Sequence, residues 1–554
     1  MKKYLIIGFS FLLVMSCSVK EVIYDTLTSD NSFQTQADVV SYVNGTYSTL
    51  NIECYKSNYP PFFLTADDIY SVTGGTQIYS NKTHDATTST TGNLWRGFFR
   101  VVNQANFVLD KIDAINIDSA FKVRTKCEMK FLRAFANFNL VRIWGPIPLK
   151  TIATSTNKSF YFPRVGVDTV YSQIFEDLLE AKKNLYTRTA QPAAEFNHAT
   201  KGAAFGYLAK AYQAYGNYLD LKGNTQAALQ QYQLSKDYCD SVLQSGQYSL
   251  VTNVKDLFDV AKERNAYTEV LFGIAYTRDE QVANSPSLGS QLAGFSLPST
   301  MPNVAGSGVN KTGVSNYRMQ PWFVEKFTTG DFLNDYRGER FFATNWMNTS
   351  NKKTITFPLV RSSGGNETVE NAPYLLKYID GQALDSRNGE NDFFALRLAD
   401  IILTKAEMEN EINGPTNIAY AEFNKIRTRA RAADGITART TPQPLKAGLS
   451  KDAFRLAVVD ERALEFVGEG VRWFDLCRLK SPIGTTMMEY QLNTVIPSYT
   501  PGLPVYNSSS RSWSSGRTDS LSVPKFQINF LLMPIPQNAE ISLNPNIGNQ
   551  NPGY

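Results

Sequence analysis

The sequence predicts a mainly α-helical protein in which helices pair as in tetratricopeptide repeats and large irregular stretches are inserted between them. Two observations predict this fold. Apolar side chains recur every three or four residues over long segments, which is the periodicity of an amphipathic helix. Two such segments, 200–215 and 226–243, are separated by a short stretch that begins with the stop signal Gly216-Asn217. The first segment carries the small residues Gly206 and Ala209, which allow close helix packing.

The predicted helices follow from the same periodicity in chain order. The segment 119–143 is the strongest, because Cys127, Phe131 and Phe138 share one stripe and Gly145-Pro146 ends it. The others are 34–50, 95–115, 167–185, 200–215, 226–243, 394–413, 416–433, 451–466 and 471–479, of which 394–413 and 416–433 form a second predicted pair.

Three stretches interrupt the helices and are rich in Gly, Ser, Asn and Thr: 53–94, 276–392 and 481–525. We expect these to be insertions that pack onto the helical scaffold and form a ligand face. Binding residues concentrate on such loops, because a rigid scaffold holds them in place.

The N-terminus predicts export and lipid attachment. Lys2 and Lys3 precede a short apolar run that ends at Ser16, and Cys17 follows. The run is too short to span a bilayer, and Val14-Met15-Ser16-Cys17 resembles a bacterial lipobox. We therefore expect a signal peptide at 1–16, an acylated Cys17 as mature N-terminus, a linker at 17–34, and one domain at 35–554.

Composition narrows the possible functions. The 554 residues include 55 basic and 51 acidic ones without a basic block, so the sequence carries no signature of nucleic-acid binding. Only two histidines occur, His84 and His198, and neither has metal-ligand spacing with another His or Cys. Besides Cys17 there are four cysteines, Cys54, Cys127, Cys239 and Cys477, which could form two disulfides in three ways or remain buried thiols, as we favour.

Three other classes of protein are alternatives to a binding protein. Ser119-Ala120-Phe121-Lys122, Ser29-Asp30-Asn31 and Lys311-Thr312-Gly313 match the motifs of serine acylases, but in the wrong order. A glycosidase needs two carboxylates about 5–10 Å apart, and the sequence singles out no such pair. An adhesive structural protein would not need exposed aromatic rings for a ligand, so the exposure of such rings distinguishes this class from a binding protein.

Several separated blocks resemble one known family. They lie at 131–149, 203–216, 396–407, 423–430, 460–476 and 532–536, followed by Asn551-Pro552-Gly553-Tyr554. In this order, and after a lipobox, they resemble the SusD/RagB family of outer-membrane lipoproteins from Bacteroidetes.

The resemblance implies a scaffold of about four tetratricopeptide-like helix pairs. It also implies a protein on the outer leaflet of the outer membrane that partners a SusC-like TonB-dependent transporter. Members of the family capture a nutrient, usually an oligosaccharide and in some branches a peptide, and are not enzymes. We accordingly expect no cofactor.

The charged residues within these blocks lie in or beside apolar stripes. A charge in such a place is tolerated when it is paired and hydrogen-bonded, so we predict structural ion pairs between helices. The residues are Arg133, Arg142, Arg397, Arg427, Glu461, Glu465, Glu469, Arg472 and Asp475.

Ligand residues are predicted from place and type alone. Sugar rings stack on aromatic side chains, and polar side chains bind their hydroxyl groups. Trp95, Trp144 and Trp473 belong to helical segments and are assigned to the core. The candidates from the early and middle insertions are Asp67, Tyr70, Tyr79, Trp322 and Trp346.

The acidic stretch 380–392 is also a candidate site. Its side chains, among them Asp385, Asn388 and Glu390, offer the oxygen ligands that calcium prefers, although the spacing is not that of an EF-hand. A solvated turn is the alternative interpretation.

We expect mass spectrometry of the mature protein to find a diacyl or triacyl group on Cys17, because two or more acyl chains are needed for stable anchoring. The variant Cys17→Ala should leave the membrane fraction. An unmodified N-terminus elsewhere in the chain would contradict this prediction.

Overall fold

The computed structural model describes residues 32–554 except 57, 59–63, 72–73, 157–159, 279–287, 302–312, 349–351, 353, 357–367, 370–372, 384, 433–438, 499–505, 508–511 and 514–523. The predicted signal peptide, Cys17 and nearly all of the predicted linker lie outside the described residues.

Helices dominate the described chain. Their bounds are α1 Gln36–Thr49, α2 Gly74–Ser80, α3 Ser89–Lys111, α4 Ser119–Trp144, α5 Val167–Asn184, α6 Lys201–Leu221, α7 Thr225–Leu243, α8 Glu263–Ala266, α9 Leu292–Ser296, α10 Pro321–Lys326, α11 Tyr336–Phe341, α12 Leu398–Asn413, α13 Asn417–Arg431, α14 Lys451–Glu465, α15 Arg472–Arg478, α16 Met487–Tyr490 and α17 Ile496–Ser498. A π-helical segment, Leu50–Lys56, continues α1.

The strands are short. They are β1 Ile69–Ser71, β2 Ile147–Pro148, β3 Arg164–Val165, β4 Val270–Ile274, β5 Tyr317–Met319, β6 Phe342–Ala343, β7 Asn345–Met347, β8 Thr354–Thr356, β9 Thr368–Val369, β10 Tyr374–Leu375, β11 Phe393–Arg397, β12 Tyr506–Asn507 and β13 Ser512–Trp513.

Among the described residues, four helix pairs form the scaffold, as predicted. They are α1 with α3, α4 with α5, α6 with α7, and α12 with α13, and successive pairs contact each other through α3 with α4, α5 with α6, and α7 with α12. One continuous core, which extends in sequence from Phe33 to Ile547, connects the pairs. Trp95, Trp144 and Trp473 lie in it, as predicted.

Two glycines of α6 allow close contacts that a larger residue would block. A Cβ atom on Gly216 would lie 2.6 Å from the ring of Tyr232 in α7. The sequence predicted that the helix ends at Gly216, but α6 continues to Leu221. A Cβ atom on Gly206 would lie 2.6 Å from Leu396, so this glycine admits strand β11 rather than a helix.

Strand β11 is a second departure from the predicted helix bounds. The segment 394–413 was predicted to be helical throughout, but Phe393–Arg397 pairs antiparallel with β4 and the helix begins at Leu398. This pairing places Arg397 beside Glu269, which precedes β4, and the Leu398 amide donates to the Glu269 carbonyl oxygen at 2.9 Å.

A buried ion-pair network lies where α12, α13 and α14 meet this pair of strands. Arg397 is 1% exposed and donates to Glu269 at 2.6 Å and to Glu469 at 2.8 Å. Arg429 adds contacts to Glu269 and Glu465. We call the whole set the central network: Arg337, Lys377, Arg397, Arg427 and Arg429 with Glu269, Asp335, Glu461, Glu465 and Glu469.

The central network balances five cations with five carboxylates, which offsets the cost of burying each charge. Burial by itself would raise the pKa of the Glu465 carboxyl. The facing arginines outweigh this effect and hold the pKa well below its usual value. The predicted structural ion pairs are thus confirmed here, and also for Arg133 with Asp177 and for Asp475 with Arg462.

Arg142 is the exception among the predicted ion pairs. Its guanidinium lies 4.1 Å from the Phe138 ring centroid and 3.9 Å from that of Phe474, and it donates to the Asn139 side chain at 2.7 Å. Among the described residues it has no carboxylate within salt-bridge distance. The prediction of an ion pair was therefore wrong for this residue, because stacking on two rings takes the place of a carboxylate.

The four cysteines within the described residues do not form disulfides. Cys54, Cys127, Cys239 and Cys477 are free thiols, and burial raises the pKa of Cys54 well above its ordinary value.

In the part of the chain that the structure describes, no helix is both long and apolar enough to cross a bilayer.

Arg472 and Asp67 offer a test of the structural role of these pairs. Two guanidinium nitrogens of Arg472 donate to the Asp67 carboxylate at 2.8 Å each, and both residues are buried. We expect Arg472→Ala to lower the free energy of unfolding by roughly 3–5 kcal/mol, because it leaves a buried carboxylate unpaired. Denaturant titration measures this change.

The control is Lys183→Ala, which removes an exposed ion pair with Glu180 and should cost at most about 1 kcal/mol. We expect Arg472→Ala to weaken the free energy of ligand binding by less than it lowers the free energy of unfolding. The reverse order would show that Arg472 belongs to a binding site.

Candidate functional site

The early and middle insertions join in a four-stranded antiparallel sheet. Its order is β1-β5-β10-β6, so one strand of the early insertion pairs with a strand that follows it by more than two hundred residues. In this register Tyr70 lies opposite Arg318, and Tyr374 lies on the other side of Arg318. Of the ligand candidates that the sequence singled out, Tyr70 lies on a strand of this sheet.

Three of the five predicted ligand residues lie in the interior. Asp67 is 1% exposed and accepts from Arg472, as described above. Trp322 is fully buried in α10, and its indole N–H donates to the Asp67 carbonyl oxygen at 3.0 Å. Tyr79 is also fully buried, with its hydroxyl 3.1 Å from that of Thr91. In this structure these side chains connect the insertions to the scaffold and present no surface to a ligand.

The other two candidates are nearly buried. Tyr70 is 9% exposed on β1. Trp346 is 6% exposed on β7, where its indole N–H donates to the Thr300 hydroxyl at 3.0 Å and its ring packs edge-on against Tyr374. The structure therefore places Asp67, Tyr70 and Trp322 on or near strands β1 and β5, Tyr79 in α2, and Trp346 on β7 of a separate sheet. Their contact with a ligand remains a prediction.

A polar groove of about 500 Å³ lies beside the middle insertion. Its walls come from the loop before α6, from the short helical turns around α8, and from both ends of the middle insertion. We call it the polar groove; it is lined by Phe196, Asn197, Lys255, Asp259, Val260, Ala261, Glu263, Arg264, Tyr267, Tyr276, Arg278, Ile379, Asp380, Gly381, Gln382, Glu390 and Asp392.

An acidic turn forms one wall of the polar groove. Arg278 donates to Asp380 at 2.8 Å and to the Gln382 side chain at 2.9 Å, and it lies 3.0 Å from Glu390. The amide of Glu390 donates to Asp380 at 2.7 Å. This is the stretch 380–392 that the sequence suggested for calcium. In the described residues, no group of three or more acidic, His or Cys side chains converges as metal ligands.

A pair of carboxyl groups lies at the base of the polar groove. Glu263 accepts from the amide of Asp392 at 2.6 Å, and Asp392 accepts from the Tyr267 hydroxyl at 2.6 Å and from the Tyr276 amide at 2.9 Å. Burial raises the pKa of both carboxyls above their ordinary values, and Asp392 raises that of Glu263 further. These groups can therefore remain protonated where exposed carboxyls are ionised.

Two arginines stack on the ring of Phe196, which lines the polar groove. The guanidinium of Arg264 lies 3.7 Å from the Phe196 ring centroid, and that of Arg188 lies 4.1 Å from the same centroid. Arg264 and Lys255 line the polar groove and are exposed to solvent. The polar groove thus offers donors from Arg, Lys and amide side chains and acceptors from carboxylates, which is the combination that hydroxyl-rich ligands bind.

The sequence located part of the polar groove. The bounds of the middle insertion and the acidic stretch within it pointed to Asp380, Glu390 and Asp392. Phe196 and the turn around Glu263 carried no signal, because they join the polar groove only through tertiary contacts.

The serine acylase motif does not form a site in the described residues. Ser119 begins α4 at the surface, and Lys122 donates to the carbonyl oxygens of Asp113 and Ile115 at 3.1 and 2.9 Å. The motif Ser29-Asp30-Asn31 and the pair Lys311-Thr312 lie outside the described residues.

Comparison with known proteins defines the family. The model of the SusD family matches residues 268–554, and a model described as starch-binding, associating with the outer membrane, matches residues 25–213. The chain belongs to the SusD family. It is 27% identical to a SusD-like protein of Formosa agariphila, over 91% of this chain and 96% of that protein.

Solved structures agree in fold. A SusD homologue from Bacteroides thetaiotaomicron has a TM-score of 0.76 at 21% identity, covering 95% of this chain and 98% of that one. A laminarin-binding SusD-like protein has a TM-score of 0.67 at 20% identity, covering 94% of this chain and all of the other. The predicted family and the predicted helical fold are confirmed.

The raised pKa values at the base of the polar groove predict a pH dependence of stability. The folded protein retains protons that the unfolded chain releases, so stability falls as the pH rises above the ordinary range of carboxyl groups. We expect Glu263→Gln to reduce the loss of stability between about pH 5 and about pH 8 relative to the parent protein. Thermal melting at both pH values measures the difference.

The matched control is Asp331→Asn, which changes an exposed carboxyl in the turn Gly330–Phe332. It should leave the pH dependence of the melting temperature unchanged. An equal effect of the two variants would contradict the burial of the Glu263 charge.

Proposed function

We propose that this chain is a cell-surface lipoprotein that captures an oligosaccharide in the polar groove and delivers it to a SusC-like TonB-dependent transporter in the outer membrane. It acts as a binding protein rather than as an enzyme. The observation that carries the proposal is the convergence of exposed donors and acceptors in one groove beside the middle insertion of a SusD-family fold.

The chemistry of the polar groove supports a hydroxyl-rich ligand. Lys255 and Arg264 line it as donors, and Gln382 and Glu390 also line it, so a sugar chain bound there can both donate and accept. The descriptions of similar proteins, which mention starch and laminarin, support the same class of ligand.

The membrane part of the proposal depends on the lipobox and on family membership. An acyl group on Cys17 would hold the domain at the membrane surface, where a partner transporter receives the ligand. A peptide is the alternative ligand, since backbone amides and carbonyls also match a groove of mixed donors and acceptors.

Calorimetry of the purified chain with glucan oligosaccharides and with peptides tests the proposal. We expect an oligosaccharide to bind, and the double variant Lys255→Ala/Arg264→Ala to bind it about tenfold more weakly or worse, since each removed charge costs a charge-assisted hydrogen bond. The matched control, Arg96→Ala/Lys183→Ala, removes two exposed cations away from the polar groove and should bind as the parent does.

Three outcomes would contradict the proposal in different ways. Binding of peptides alone would replace the ligand class. Turnover of the bound oligosaccharide would make the protein an enzyme. Normal binding by the double variant together with lost binding by Trp346→Ala would move the ligand from the polar groove to the surface near β7.

A further inference from the structure

A larger cavity lies within the helical scaffold, apart from the insertions that form the polar groove. It has a volume of about 770 Å³, within the range typical of small-molecule sites. Residues of α4, α6, β11 and α15 and of the C-terminal segment line it. We call it the scaffold cavity.

The wall of the scaffold cavity is mainly apolar. Seven aromatic rings line it, among them Phe138, Tyr207 and Phe474, together with aliphatic side chains such as Leu396 and Leu532. Water in contact with so many apolar groups is unfavourable, so an apolar body that displaces it gains free energy. The wall therefore fits a ligand with a ring system or an acyl chain.

Polar atoms without partners also line the scaffold cavity. Gln213 on α6 is fully buried, and neither its amide oxygen nor its amide nitrogen has a hydrogen-bond partner among the described residues. The Nε of Arg142 is likewise without a partner. Such groups cost free energy when buried and unpaired, and they point to a ligand that carries polar atoms.

The charge of the wall is positive. Five cations and three carboxylates line the scaffold cavity. Lys210 and Arg478 are paired with carboxylates of the scaffold. Arg142 has no carboxylate partner among the described residues, and Arg164 donates instead to neutral oxygens, including those of Ile547 and Asn551.

We propose that the scaffold cavity binds a small amphipathic anion, with its apolar body against the aromatic wall, its acidic group on Arg142, and a further polar group on Gln213. The stacked guanidinium of Arg142 is held between Phe138 and Phe474, so it is already oriented for an anion. This site is independent of the polar groove and of the proposed sugar ligand.

Fluorescence titration of the full chain with two matched probes tests the site. Anilinonaphthalenesulfonate carries an aromatic body and one acid group, and phenylnaphthylamine carries the same body without the charge. We expect the sulfonate to bind more tightly than the neutral probe. Arg142→Gln should weaken the sulfonate roughly tenfold or more and the neutral probe by about twofold at most, since only the charge-assisted contact is lost.

A second variant locates the probes. Ala214 lines the scaffold cavity from α6, and Ala214→Trp fills it, so both probes should lose binding. The control is Val123→Trp, which adds the same ring at an exposed position of α4. Thermal melting establishes that each variant is folded, and Arg142→Gln still tests the proposal if Ala214→Trp does not fold.

The outcomes separate the alternatives. Unchanged binding by a folded Ala214→Trp variant would place the probes on the surface and overturn the site. Equal loss of both probes in Arg142→Gln would overturn the assignment of an anion. Loss of the sulfonate alone in Arg142→Gln supports the proposal.

Discussion

The buried pairing of Arg397 with glutamates is the interaction on which the arrangement of scaffold and insertions depends. Arg397 ends β11 and precedes α12, and its partners come from two other parts of the chain, Glu269 before β4 and Glu465 and Glu469 at the end of α14 and in the turn after it. Each buried charge is tolerable only while its partners remain in place. The helix pair α12–α13, α14 and the β4–β11 strand pair are consequently held in one relative position.

The central network also connects the middle insertion to the scaffold. Lys377 follows β10 and donates to Glu469 and to the carbonyl oxygens of Glu465 and Val467, while Arg337 in α11 pairs with Glu461 and Glu465. Burial lowers the pKa of Lys377 to about 8, although Glu469 opposes this shift. Such contacts anchor the insertion to the scaffold, so its short strands and turns can hold ligand groups in fixed positions.

Scaffold and insertions differ in the kind of cavity that they form. The scaffold cavity lies between packed helices, so aromatic and aliphatic side chains dominate its wall. The polar groove lies between turns, where backbone amides and short polar side chains satisfy one another, so it offers donors and acceptors. The two cavities of this chain therefore offer separate chemistry.

The sequence by itself determined the helices and the nature of the buried charges. Periodicity is a local property, and it located helices such as α4 and α5 to within one or two residues. It also predicted that charges within apolar stripes would be paired, because a buried charge needs a partner; for Arg142 two stacked aromatic rings take the place of the carboxylate. Tertiary structure alone decided which elements surround a residue. Strand β11 was predicted as helix, because its partner β4 is remote in sequence. Trp322 and Trp346 were predicted to be accessible, yet segments that are distant in sequence cover them. The polar groove likewise arises from long-range contacts, which no local pattern encodes.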